Sequence, residues 1–176
     1  MTTDAMEPPY EPSKTLADSA ELLRAYLDVY RDTVLRKLDG LQDHQLRASR
    51  LPSGWSPLGL LKHLAYMERR WLVWGFAGEQ VDAPWGDSAS HGVGWQLGDD
   101  ESLADIQAML AGQRARTDEI VSTARLSDRA RPGGRFATEQ DCPTLAWTLF
   151  HVLQEYARHA GHLDVARELI DGATGE

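Results

Sequence analysis

Four stretches of the chain carry apolar residues at intervals of three and four, the period of a helix with one buried face. The first runs from about residue 16 to 38, with Leu23, Leu27, Tyr30, Val34 and Leu38 on one stripe and Gly40 placed to close it. The second opens at "SGWSPLGLLKHLAYMERRWLVWGF". There Ser56 is a good N-cap, and Pro57 stands where a missing N–H costs nothing. Leu60, Leu64, Met67 and Trp71 continue its stripe up to Gly78, and the run "MERRW" reads as a helix surface, with Glu68 and Arg69 beside a core aromatic. A third helix is predicted over residues 102–124, with Leu103, Ile106, Leu110, Thr117, Ile120 and Val121 inward. The fourth covers 145–170, capped by Thr144 and stopped by Gly172.

Two long connections separate these helices. Residues 79–101, "EQVDAPWGDSASHGVGWQLGDDE", have no helical period and many breakers, and a loop of that length in a compact domain is either functional or disordered. Trp85, His91 and Trp95 within it suggest a packed flap. The second connection is "ARPGGRFATEQDCP", and both are expected near the same functional end. No segment alternates with period two for long enough to insist on a strand. The pattern therefore predicts an all-α four-helix bundle with two long loops, spanning 16–176 behind an N-terminal tail of residues 1–15.

Composition narrows the function. At 176 residues the chain has room for a single sizeable core, with an ordinary 42% apolar and 26% charged content. A net charge of −9 argues against nucleic acid and anionic membranes as partners, because phosphate surfaces demand a basic face. No apolar run approaches the ~20 residues that span a bilayer. The N-terminus lacks the basic-then-apolar order of a secretory signal. The lone Cys142 excludes an intrachain disulfide, fits a reducing cytoplasm and reads as structural, and His44 reads as a loop histidine.

The chemistry gathers in "QEYARHAGHLDVARE", residues 154–168. At 100° per residue, Glu155, His159 and His162 point within about 60° of one another, with His151 about 40° beyond Glu155. A further histidine, His63, stands among leucines in "LLKHLAY". An i, i+4 pair on one helix plus one ligand from another makes a three-ligand chelate with a coordination position left open. The same spacing equally describes a solvated helix face and a satisfied core histidine, and spacing alone does not choose between them.

The stretches "LPSGWSPLGLLKHLAYMERRW", "APWGD" and "PTLAWTLFHVLQEYARHAGHLDVARELIDG" resemble the DinB-like superfamily, in an actinobacterial branch, over about residues 16–172. That resemblance implies a four-helix bundle with a divalent metal near one end. The metal-binding domain of mycothiol-dependent maleylpyruvate isomerase is similar, with one histidine on the second helix and Glu-x-x-x-His on the last. It also shares the "LP-x-GW" lead-in, here Leu51, Pro52, Gly54 and Trp55. The match implies His63, Glu155 and His159 as metal ligands. His162, where many members carry glutamine, becomes a supporting catalytic residue behind them or an alternative ligand. The isomerase's additional C-terminal domain has no counterpart in this sequence, so its reaction is not carried over.

The resemblance further implies chemistry on a low-molecular-weight thiol of the mycothiol type. A free thiol with a pKa near ~8.5 is only slightly ionised at neutral pH, and a divalent cation deprotonates it. Zn2+ is the leading metal, with Ni, Fe and Mn suited to the same donors. The leading function is thus a metal-dependent thiol S-transferase acting on an electrophilic substrate. A metal-dependent hydrolase and a non-catalytic metal- or ligand-binding bundle are the alternatives. Arg69, Arg158, Trp85 and Trp95 are candidate substrate-binding residues, with a surface ion-pair reading open for the arginines and a loop-anchoring reading open for the tryptophans. Homodimers are common among similar proteins, and the first helix is the candidate pairing face.

Overall fold

A computed structural model of the protein describes residues 11–82 and 95–174. Among them are five α-helices: α1 (Ser19–Arg36), α2 (Asp43–Arg47), α3 (Pro57–Glu68), α4 (Leu103–Thr123) and α5 (Leu145–Asp171). No strand occurs among the described residues, where the only β pairing is an isolated bridge between Arg129 and Thr144. The fold is all-α. Four long helices pack as α1 on α5, α3 on α4 and α3 on α5, and the short α2 lies against α3.

Local chemistry sets the helix ends. Asp18 caps α1 by accepting from the backbone N–H groups of Ala20 and Glu21. Ser56 accepts from Gly59 N at 3.2 Å, ahead of Pro57. Ser102 and Asp105 form a reciprocal capping box on α4. Thr144 caps α5, and Gly172 ends it in the left-handed conformation at φ +77°, which glycine adopts without a Cβ clash.

Three features depart from the sequence reading. His44 stands in the short helix α2 and not in a loop, because Gln42 and Gln45 form a capping box that closes a single turn. The second long helix changes geometry at Glu68: residues Arg69–Phe76 form a π-helix, whose i→i+5 bonding gives a wider turn. Its carbonyls are used by the second long loop, as Arg135 N donates to Trp74 O and Arg131 N to Phe76 O, both at 3.0 Å. Gly134 permits this approach, since a Cβ there would lie 2.0 Å from Trp74 O.

The third departure is Glu68, which is fully buried and not on a surface. Its carboxylate accepts from Arg31 Nε at 3.2 Å and from a second Arg31 nitrogen, from Thr117 Oγ1 at 2.6 Å and from Tyr156 OH at 2.7 Å. Arg31, Thr117 and Tyr156 come from α1, α4 and α5, so one carboxylate ties all four long helices together. Helical periodicity puts Glu68 one turn after Leu64, on the inner stripe, but cannot reveal its partners, which lie far away in sequence. Around the clamp lies a core rich in leucine, including Leu27, Leu60, Leu64, Leu149 and Leu163.

Candidate metal centre

His63 sits in the second turn of α3, and Glu155 and His159 lie one turn apart on α5. The packing of α3 on α5 brings the three together, with one donor atom from each inside a span of 4.8 Å. Glu155 Oε2 lies 3.3 Å from His159 Nε2 and 3.8 Å from His63 Nε2. Donors about 2.0–2.1 Å from a tetrahedral ion stand roughly 3.3 Å apart, so the separations are near what one cation would bridge. His63 Nε2 is buried and has no hydrogen-bond partner among the described residues. A buried nitrogen left in that condition is costly unless something accepts its lone pair or its proton. Two imidazoles, one carboxylate and an orphaned buried nitrogen fit a divalent cation.

The electrostatics agree with that fit. The His159 imidazole, and then that of His63, hold the Glu155 carboxyl far below the usual carboxylate range, so it is ionised. Burial pushes the His63 pKa down, with His159 and Arg70 acting in the same direction against Glu155. His63 is therefore neutral at pH 7, the state a metal requires of it. His159 and His162 meet through their Nδ1 atoms at 3.1 Å, which turns His159 Nε2 toward Glu155. His151 comes to Glu155 from the other side, its Nε2 at 3.9 Å from Oε1.

Trp95 closes the cluster on the flank of α3. Its indole stacks on the His63 ring, centroids 4.3 Å apart and planes 8° apart, and meets His159 edge-on at 5.3 Å. The backbone holds it there. Lys62 Nζ donates to Gln96 O at 3.1 Å and pairs with Glu101 at 2.7 Å, while Arg47 reaches Gly98 O at 3.3 Å. Gly59 leaves room for the Trp95 carbonyl, which a Cβ would meet at 2.5 Å. Trp55 adds a ring beside Trp95 and His162, at 6.3 and 6.0 Å.

The remaining candidates are scattered. Arg158 is exposed, and its charge lowers the pKa of His162 after burial and His159. Arg69 turns outward, donating to Asp82 O at 3.1 Å and lying over the Tyr66 ring. The next residue, Arg70, is the buried one, and its charge acts on both His63 and His151. Trp85 and His91 lie outside the described residues. The two long connections meet α3 and its π-helical extension at opposite ends: residues 95–98 beside Gly59 and Lys62, residues 131–135 beside Trp74 and Phe76. Cys142 is buried, with Sγ 3.3 Å from Thr138 O.

Gly59, Lys62, Arg70 and Trp55 were not apparent as site residues in the sequence. A glycine four positions and a lysine one position before a histidine, in a leucine-rich helix, were the available signal.

No helix among the described residues is long and apolar enough to cross a membrane. No curated protein gives a significant match to the chain. A family model described as mycothiol-S-transferase matches residues 22–172, which takes in the clamp, all three converging donors and every long helix but the first turn of α1. The chain belongs to the mycothiol-S-transferase family.

Proposed function

We propose that the protein is a metal-dependent S-transferase that joins mycothiol, or a thiol of that type, to an electrophilic carbon. The observation that carries the reading is the convergence of His63, Glu155 and His159 around an orphaned, buried His63 nitrogen. These three would hold the ion, Zn2+ first among the metals that suit imidazole and carboxylate. A divalent cation there supplies one thing, a lowered thiol pKa that makes sulfur nucleophilic at neutral pH.

The chain's own residues do the rest. Glu155 brings the negative charge that offsets a cation inside the bundle. His162 fixes the tautomer of His159 by occupying its Nδ1, leaving Nε2 as donor. Trp95 holds the His63 ring in plane and keeps water off one side of the cluster. Arg158, one turn before His162, offers donors to the hydroxyls of the thiol's sugar portion. A thiol co-substrate is kept reduced in the cytoplasm, where the reading places the protein.

The test is thiol consumption with mycothiol and chlorodinitrobenzene. Wild type is expected to turn over only with thiol present, and His159→Ala to fall to the uncatalysed rate. Equal rates in the two proteins would remove the proposal.

A further inference from the structure

Between α1 and the first half of α5 runs a groove of about 720 Å³. That is within the ~300–1,000 Å³ of small-molecule sites. Leu22, Tyr26 and Tyr30 form one wall, and Trp147, Phe150 and His151 the other. No charged residue lines it among the described residues, although charged residues make up 26% of the chain. Trp147 and Phe150 are 52% and 62% exposed, large rings kept in water at the groove's rim. Contiguous exposed apolar surface marks interaction sites and ligand-binding grooves.

One end of the groove is tied to the metal centre. The His151 ring stacks on Trp147, centroids 5.3 Å apart and planes 9° apart, and Trp71 lies 4.2 Å from its centroid. The same ring's Nε2 is 3.9 Å from Glu155 Oε1. Groove and cluster are thus separated by the thickness of one histidine.

We propose that this groove binds the second substrate, and that its class is an uncharged, flat aromatic electrophile carrying a leaving group such as halide. The ring lies between Tyr26 and Tyr30 on one side and Trp147 and Phe150 on the other, with its reactive carbon at the His151 end. The proposal rests on the S-transfer reading. In the reaction the thiol sulfur forms the new C–S bond, the carbon–halide bond breaks with its electron pair leaving on halide, and the thiol proton passes to water. A charged electrophile finds no counter-charge among the described residues of the walls. A second copy of the chain would need an apolar face but not a concavity that ends beside Glu155.

The test separates binding from chemistry. 1,3-Dinitrobenzene, which has no leaving group, is titrated into the full-length protein without thiol, and the tryptophan indole N–H signals are followed by NMR. Trp147→Phe assigns one of them. Saturable shifts of the Trp147 signal are expected, with affinity at least tenfold weaker in Phe150→Asp and retained in Phe150→Leu. In turnover with chlorodinitrobenzene, Phe150→Asp should raise KM for the electrophile at least tenfold, with metal content and KM for mycothiol unchanged. Absence of saturable binding, shifts confined to other tryptophans, or an unchanged electrophile KM would overturn the proposal. So would a wild-type dimer, seen by sedimentation, that Phe150→Asp converts to monomers without changing KM. Saturable binding at Trp147 in a protein that transfers no thiol would support the groove as an aromatic site and count against S-transfer instead.

Discussion

Two glutamates face the inside of this bundle, and they are built in opposite ways. Glu68, at the end of α3, is fully buried and its two oxygens are filled by Arg31, Thr117 and Tyr156. Glu155, next to Tyr156 on α5, keeps some exposure and stands among three histidine nitrogens at 3.3, 3.8 and 3.9 Å. The first is a closed network, neutralised and hydrogen-bonded within the chain. The second leaves a neighbouring buried nitrogen without a partner among the described residues. A bundle satisfies its own polar groups where they serve the fold, and leaves donors converging where something else is to be bound.

The sharpest way to break that contrast is to remove the clamp. Glu68→Gln leaves the buried Arg31 guanidinium short of its counter-charge, and breaking a buried pair on one side costs about 3–5 kcal/mol. Denaturant unfolding should show it as a large drop in midpoint. Tyr156→Phe removes one donor to the same carboxylate and should cost about 1–3 kcal/mol.

At the other glutamate the order of effects reverses. His63→Ala and His159→Ala should abolish metal retention and thiol transfer, while the stability of the metal-free protein changes by less than the clamp variants show. If His159→Ala unfolds as readily as Glu68→Gln, the cluster is a second structural clamp and the contrast fails.

The sequence disclosed the two glutamates unequally, for a physical reason. Glu155 and His159 are one turn apart on one helix, so their shared face could be computed from the helical period. Glu68 draws its partners from three other helices, at separations of 37, 49 and 88 residues, and no local pattern carries that information. "MERRW" therefore looked like a surface. The caps at Ser56 and Thr144 were legible because capping is local chemistry. The π-helix was not, because it depends on carbonyls taken up by residues 131–135, far along the chain. Arg70, and not Arg69, faces the histidines, and this was within reach of the helical period, since Arg70 stands seven residues, close to two turns, after His63.

A smaller effect tests the wall that holds His63. Gly59→Ala sets a methyl group 2.5 Å from the Trp95 carbonyl, so residues 95–98 must shift and Trp95 loses its stacking on His63. Metal affinity, measured by competition with a chromogenic chelator, should weaken by about tenfold with little change in unfolding midpoint.

The smallest effect is in pH. His63, facing Glu155, His159 and Arg70, has its pKa lowered from 6.5 in the folded state, as do His151 and His162. Between the folded and unfolded values the unfolded chain binds more protons. The stability of the metal-free protein is then greatest above pH 6.5 and falls as pH drops through that window. His63→Gln should flatten part of the fall in melting temperature between pH 7 and 5.

The most direct measurement is metal content by plasma mass spectrometry, on untagged protein never exposed to chelator or to a nickel column. Wild type, Glu155→Gln and His159→Ala would be run beside Tyr156→Phe, which alters the neighbouring clamp alone. About one equivalent of a divalent metal in wild type and Tyr156→Phe, lost in the other two, is the expected result. Wild-type protein that carries no metal, and takes up none on titration with zinc, nickel, iron or manganese, would contradict the metal centre.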